Sequence, residues 1–566
     1  MSNRLKRFLG SVLIVASWAA SLASTNLRVF AQRDEPVRAR RAMVASQHEL
    51  ASRIGVEIMK KGGNAVDAAI AVGLALAVVY PEAGNIGGGG FMLIRSPNGE
   101  THAIDYRETA PAASGRNMYV DKGGNIITGL ESSTVGYRAS GVPGTLSGFD
   151  LAFRQYGSGK VKWSELVRPA RLLAANGFEL SYRGTKRINE YKDSLAQFED
   201  SKRIFLNLGK LFTYGDVLRQ PDLAMTLDRI ERIGAREFYT GLTARLIADD
   251  MKAKGGLITL DDLRNYQAKE RVPVRGTYRG NEIISMSPPS SGGTVMLEIL
   301  NMLEGYDLRA MKYNSAASYH LVAEAMRRAF ADRSEFMGDP DFAIIPTAGL
   351  LSKEYAKRQR STIDPARAST SDQIGHGLPA GGEPTETTHF TVVDASGMAV
   401  SNSYTINDLF GSRVTARGTG ILLNDEMDDF ASKPGTPNLY GLIQGEQNAI
   451  KPGKKPLSSM TPTIVLRKDG SFWFALGGRG GPHIISAVVQ SIINVIDHDM
   501  NLQQAIDAPR IHHQWLPDDL LYEPLGMSPD TLSILGRMGH HILAASNPDR
   551  IASTTGIMID ETGTRL

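Results

Sequence analysis

Residues 385–407 read TETTHFTVVDASGMAVSNSYTIN. Two runs rich in β-branched and aromatic residues, 389–394 and 398–406, flank Ala395-Ser396-Gly397, which predicts two strands joined by a three-residue turn. With Asp394 opposite Met398, paired positions sum to 792, so Thr387 faces Thr405. Asn407 follows two residues later on the same face. Two hydroxyls and an amide thus gather where a strand begins. A threonine hydroxyl is a poor nucleophile without a base, and no suitably spaced His or Lys accompanies it. A cut before Thr387 would supply one, because an α-amino group with a reference pKa near 7.7–8.0 accepts a hydroxyl proton at neutral pH. The amide of an uncut chain cannot do this, so scission between Glu386 and Thr387 would switch the activity on.

The flanks support a strand core between helices. Upstream, 361–386 is dominated by Ser, Thr, Pro, Gly and Asp, and HGLPAGGEPTE (376–386) has no periodicity, which predicts a linker. Downstream, 463–468 and 471–476 flank Asp469-Gly470 as a second hairpin, with helices at 484–496 and 502–506. Nearer the N-terminus, helices are predicted at 54–61 and 65–79, separated by Gly62-Gly63. The second is apolar almost all round and therefore buried, while Asp67 and its four turns argue against a membrane span. NIGGGGFMLI (85–94) invites a phosphate-loop reading, but Phe91-Met92 and a strand follow where a Lys-Ser or Lys-Thr pair and a helix are needed. Its glycines are expected to permit close backbone approach or unusual dihedrals. The stretch 141–355 reads as mainly helical, for example at 319–330, with the turn-rich SPPSSGG at 287–293 and few groups suited to chemistry. Helices, then strands, then helices predict helix layers packed on sheet.

Composition narrows the class. The 566 residues are 42% apolar and 22% charged, the balance of a soluble globular protein. Arg4, Lys6 and Arg7 precede an apolar stretch at 8–23, with cleavage candidates at Ala23 and Ala31. This predicts a secretory leader over 1–31 and export to a periplasm or the exterior. The leader holds four basic residues and no acidic ones, which leaves 59 basic against 60 acidic residues in the body. That balance gives no reason to expect nucleic acid as a partner. The absence of cysteine excludes disulfides and thiol catalysis. His512-His513 and His540-His541 are adjacent pairs without the i, i+4 spacing of helical metal ligands, so they are read as structural and no metal is expected.

TETTHF, SYTIN, NDEMDDF (424–430), KPLSSMTPT (455–463) and GGRGGPHI (477–484) together resemble the small subunit of gamma-glutamyltransferases. ASRIGVEIMKKGGNAVDAAIAVGLAL (51–76), NIGGGGFML (85–93) and DYRETAP (105–111) resemble the large subunit in the same order. The resemblance runs from about Pro36 to the C-terminus. It implies an N-terminal-nucleophile hydrolase with a four-layer αββα sandwich, self-cleaved into an obligate heterodimer of 32–386 and 387–566. In that pattern Thr387 is the nucleophile, Thr405 orients it, and Gly480 and Gly481 offer N–H groups to an oxyanion. Arg107, Ser458 and Ser459 bind the α-carboxylate of a γ-glutamyl group, while Asn407, Glu426 and Asp429 accept from its α-ammonium. Tyr440, in KPGTPNLYG (433–441), covers the pocket. The implied reaction passes the γ-glutamyl group of glutathione or a similar amide to an amino acid, a peptide or water, without a cofactor.

Two other readings remain open: a glutaryl (cephalosporin) acylase with the same nucleophile, and an uncut periplasmic protein that binds γ-glutamyl peptides. Two departures from the family pattern stand out. Position 426 is Glu where some relatives carry Gln, and the chain stops at GIMIDETGTRL (556–566), where the expected consequence is a loss of stability or an edge strand left unpaired.

Overall fold

The computed structural model describes residues 35–375, 387–437, 442, 445–524, 526–545 and 551–566. The expected leader, the segment 376–386 with Glu386, the side chain of Thr387 and Tyr440 lie outside them. In chain order the principal strands are β1 (Met43–Ala45), β2 (Gly89–Arg95), β3 (Thr101–Asp105), β4 (Lys269–Arg271), β5 (Val274–Tyr278) and β6 (Asn281–Ser285). They continue with β7 (Thr387–Val393), β8 (Ala399–Thr405), β9 (Thr463–Leu466), β10 (Phe472–Arg479) and β11 (Ser553–Met558). Six of them form an antiparallel sheet in the order β1-β7-β8-β2-β3-β4, and five form a second in the order β11-β10-β9-β6-β5.

Strand periodicity assigns each face. In β7, Phe390 and Val392 join the helices outside the first sheet, whereas Val393 points into the apolar layer between the sheets. That middle layer meets Phe91, Leu93 and Ala399 from one sheet with Ile284, Ile464, Ala475 and Ile557 from the other. Helices α1 (Glu49–Lys60) and α2 (Ala65–Val79) belong to the outer layer on the first sheet. Helices α3 (Gly292–Leu303), α4 (Ala316–Phe336) and α5 (His483–Ile496) cover the second. The result is the expected four-layer αββα sandwich. Each large aliphatic side chain so buried contributes roughly 1.5–3 kcal/mol.

Helix α2 begins and ends where its sequence predicts. Asn64 accepts from Val66 N and Asp67 N at 3.0 Å, Asp67 accepts from Asn64 N at 3.0 Å, and every residue from Ala65 to Val79 is buried. Helix α1 starts at residue 49 rather than 54, because His48 caps it by accepting from Leu50 N at 3.2 Å. Histidine is not among the usual capping residues, so the start was hidden. The expectation of a mainly helical 141–355 misses β4, β5 and β6. The β5–β6 hairpin turns on Arg279 (φ 53°) and Gly280 (φ 82°), and β6 pairs with β9 at the centre of the second sheet. The chain end also departs from expectation. Leu566 and Met558 exchange N–H···O bonds at 2.7 and 3.0 Å, and Arg565 bridges to Ala39, so the segment after β11 folds back along the edge.

Candidate active site

The β7–β8 register is the predicted one, with Val393 opposite Ala399 and Thr387 opposite Thr405. Across the sheet, Thr405 pairs with Gly89 on β2. The β2–β3 register, continued past Phe91 and Asp105, brings Arg107 beside Gly89. One row across the first sheet therefore carries Thr387, Thr405, Gly89 and Arg107, about 5 Å apart from strand to strand. At the Gly89 position of this row only glycine fits. A Cβ on Gly89 would stand 2.5 Å from Tyr106 O and 2.7 Å from the Glu108 carboxyl, and one on Gly88 would stand 2.0 Å from Thr405 O. Close approach is thus what the Gly87–Gly90 run provides, since none of the four has a positive φ.

Arg107 is buried, and carboxylates crowd its guanidinium. Glu426 lies at 3.0 Å, Glu108 at 3.5 Å, and Asp429 makes a direct ion pair. Glu426 and Asp429 occupy the two ends of a single 3-10 turn, which brings both to one cation. Backbone contacts fix the arginine, whose Nε donates to Pro456 O at 3.2 Å and an Nη to Leu457 O at 3.1 Å, just before Ser458 and Ser459. Three carboxyls around one cation are costly in this buried site. Burial raises the Glu426 carboxyl above its ordinary range, against the pull of Arg107, Asp429 and the Thr405 hydroxyl. Burial, reinforced by Glu426, raises Glu108 well above that range.

The turn after β8 places Asn407 differently from a simple continuation of the strand. Asn407 adopts φ 70°, its N–H donates to Thr405 Oγ1 at 2.8 Å, and its side-chain amide donates to Asp425 O at 3.0 Å and to the Asp425 carboxylate at 3.3 Å. Asparagine tolerates this left-handed conformation, so the chain can leave the sheet there. Asn424 was not anticipated. It donates to Gly87 O and Gly141 O at 2.8 Å each and accepts from Glu426 N at 3.0 Å, so the glycine run and the acidic turn hold one another.

Gly480 (φ 128°) and Gly481 (φ 57°) connect β10 to α5. A Cβ on Gly477 would lie 2.4 Å from the His389 ring. Gly477 and His389 each sit two residues from the end of their strands, so the end of β10 and the start of β7 lie at the same end of the sandwich. Two conformationally free glycines before a helix N-terminus can direct N–H groups at an anion.

Of the paired histidines, His512, His513 and His540 are buried in hydrogen bonds elsewhere, and His541 is exposed beside Asp519. His512 contacts Ser486 Oγ at 2.7 Å and Gln514 Oε1 at 2.9 Å, and His513 lies 3.2 Å from Asp518. His320, Glu324 and His540 bring ligand atoms within 4.8 Å of one another. However, His320 bonds directly to His540 at 2.8 Å, and Glu324 faces both Arg327 and Arg328, an arrangement hostile to a cation.

Comparison with known proteins decides the family. A family model described as gamma-glutamyltranspeptidase matches residues 51–565. The chain belongs to the gamma-glutamyltranspeptidase family. It is 48% identical over 536 residues to the glutathione hydrolase proenzyme of Pseudomonas sp. (strain A14), covering 94% of this chain and 92% of that one. Among solved structures, Helicobacter pylori gamma-glutamyltranspeptidase aligns with a TM-score of 0.59 and 46% identity, over 61% of this chain and 97% of its own. Cephalosporin acylase from Bacillus halodurans shares the fold more completely, with a TM-score of 0.83 over 95% of this chain and 96% of its own, but only 26% identity. The gamma-glutamyltranspeptidase relatives are thus nearer in sequence than this acylase. Of the site residues expected from the sequence, the structure sets Thr387, Thr405 and Arg107 in one row, Glu426 and Asp429 on the Arg107 guanidinium, and Ser458 and Ser459 directly after the Pro456 and Leu457 carbonyls that hold it.

Proposed function

We propose that this chain is a γ-glutamyltransferase and glutathione hydrolase that passes a γ-glutamyl group through Thr387 to an amino acid, a peptide or water. The observation that carries the reading is the pairing of one buried guanidinium with Glu426 and Asp429. A γ-glutamyl group brings one carboxylate and one ammonium to the same end. Arg107 binds the carboxylate as a two-pronged donor, and the two acidic side chains take the ammonium in its place. A glutaryl group has no ammonium, so these carboxylates would be left without a counter-charge.

Autoproteolysis begins with attack by the Thr387 hydroxyl on the Glu386 carbonyl, and the peptide bond becomes an ester that water hydrolyses. The freed α-amine then takes the Thr387 hydroxyl proton as the oxygen attacks the γ-carbonyl of the donor. Gly480 and Gly481 donate to the oxyanion, and loss of one such donor typically costs about 10²–10³ in rate. The proton passes from the amine to the departing amide nitrogen. An acceptor amine or water then attacks the γ-glutamyl ester and regenerates Thr387. Thr405, opposite in the register, orients the nucleophile.

The subunits so formed are 32–386 and 387–566, associated as a heterodimer. Supporting this division, the Helicobacter pylori chain is matched almost throughout yet spans 61% of this one, close to the 355 of 566 residues in 32–386. Export by the leader 1–31 to a periplasm or the exterior completes the reading, and no helix among the described residues is long and apolar enough to cross a membrane. Rates on γ-glutamyl and glutaryl p-nitroanilide test it. We expect kcat/KM to favour the γ-glutamyl donor by about a hundredfold, as a charged hydrogen-bonded pair requires. Equal rates, or preference for glutaryl, contradict it.

A further inference from the structure

Groups from a distant part of the chain hold the serine pair 458–459, and the way they hold it determines where the hydroxyl protons go. Arg333, on α4, is fully buried. Its Nε donates to Ser291 Oγ at 2.7 Å and one Nη donates to Ser459 Oγ at 3.0 Å. Ser291 passes the constraint on, donating to Ser458 O from both its hydroxyl and its N–H at 2.7 Å. Ser458 Oγ accepts from Met460 N at 3.2 Å. Both hydroxyl oxygens of the pair are therefore occupied as acceptors, and a hydroxyl has only one proton to give. An oxygen that accepts from a guanidinium must turn its own O–H away from that cation. Proximity to the positive charge also polarises the O–H and strengthens it as a donor.

On the other side, Arg107 is fastened to Pro456 O and Leu457 O, the two residues before the pair. We propose that Arg333 is a positioning residue for the donor's α-carboxylate: by donating to Ser459 Oγ, it aims the Ser459 proton at the carboxylate that Arg107 binds. Arg333 itself does not touch the substrate. The inference rests on the γ-glutamyl reading above and adds a residue from the SPPSSGG-facing helix to the recognition of that substrate.

The test uses two donors, γ-glutamyl-p-nitroanilide and its analogue with the α-carboxylate replaced by a primary amide. The unaltered protein is expected to prefer the first by about a hundredfold in kcat/KM, the scale of a lost charged partner. In Arg333→Gln, KM for the carboxylate donor should rise about tenfold, with kcat and the KM of the amide donor little changed. Adding R333Q to Ser459→Ala should bring no further rise, because the hydroxyl it aims is already gone. Arg333→Lys, which keeps the charge but cannot hold both serines, should show part of the same selective loss. Ser291→Ala, a smaller change that removes the Nε acceptor, provides the same readout should R333Q fail to accumulate, with a selective rise of about threefold. Equal losses on both donors, a fall in kcat at unchanged KM, or additive effects of R333Q and S459A would overturn the inference while leaving the activity standing. Failure of the unaltered protein to discriminate between the donors would overturn the substrate reading itself.

Discussion

Two buried polar clusters in this molecule have opposite charge arithmetic. Around Arg107, one guanidinium meets three carboxyls, Glu108, Glu426 and Asp429. Around Glu324, one carboxylate meets Arg327 at 3.2 Å and Arg328 at 2.7 Å, and also accepts from Ser369 Oγ at 2.6 Å and Ser369 N at 3.2 Å. Their titration moves in opposite directions. Burial raises Glu426 more than Arg107 lowers it. Burial also acts to raise Glu324, but Arg327, Ser369 and Arg328 outweigh it and hold this carboxyl below its ordinary range. The lesson is that titratable residues and burial do not by themselves mark a functional site. The cluster with surplus acceptors can take up a cationic ligand, whereas the saturated cluster works as an internal staple.

The largest expected effect lies in the staple. Glu324→Gln removes the carboxylate shared by two buried arginines, leaving Arg328 without it and Arg327 with Asp518 alone, and should destabilise the fold by about 3–5 kcal/mol in chemical unfolding. Activity per folded molecule should stay unchanged. Because the Glu324 carboxyl is depressed in the folded state, its contribution is present above the unfolded-state carboxylate pKa and disappears as pH falls through the folded value. The acid limb of the stability curve should therefore flatten in E324Q. A large activity loss without loss of stability would erase the contrast between the clusters.

Arg107→Gln should do the reverse. It should cost about a thousandfold in kcat/KM for a γ-glutamyl donor, or about 4 kcal/mol of transition-state binding, while the melting temperature moves little because the carboxyls can protonate. Glu426→Gln is milder and sharpens the argument through pH. In the unaltered protein Glu426 ionises only as pH rises through its elevated pKa, so donor KM should fall over that range. In E426Q this pH dependence of KM should vanish, with KM about tenfold higher on the alkaline side. A pH dependence that survives the substitution would assign it to another group.

The smallest effect tests burial without a strong partner. Burial pushes the Glu82 carboxyl up to about 7, with Arg183 and Arg187 offsetting only part of the shift. The folded state therefore binds the proton more tightly, and stability falls as pH rises from the ordinary carboxylate value to about 7. Glu82→Gln should be more stable than the unaltered protein by about 1–3 kcal/mol at pH 8, with the difference disappearing near pH 4. A stability difference independent of pH would contradict the assigned ionisation.

Local features were legible in the sequence, whereas convergence was not. The β7–β8 register followed from one short turn, which Asp394 fixes by accepting from Ser396 N at 2.8 Å and Met398 N at 3.1 Å. Helix α2 announced itself through Asn64, Asp67 and an unbroken apolar run. By contrast, Arg107 meets Asp429 across 322 residues of chain, a contact no local pattern encodes, and only the family resemblance joined them. The β5–β6 hairpin was missed because Arg279 bends with positive φ beside Gly280, while the surrounding helices dominated the reading. Asn407 was expected to continue the strand, but its left-handed turn draws the side chain to Asp425. Arg333 and Ser291 were overlooked because they look like ordinary helix and turn residues until Ser458 and Ser459 fold against them.

The most direct measurement is the intact mass of the purified, active protein beside that of Thr387→Ala. The account predicts two chains in the active protein, the smaller beginning at Thr387, and a single inactive chain in the variant. One continuous polypeptide that turns over γ-glutamyl anilide, or a T387A protein that still divides and works, would contradict it.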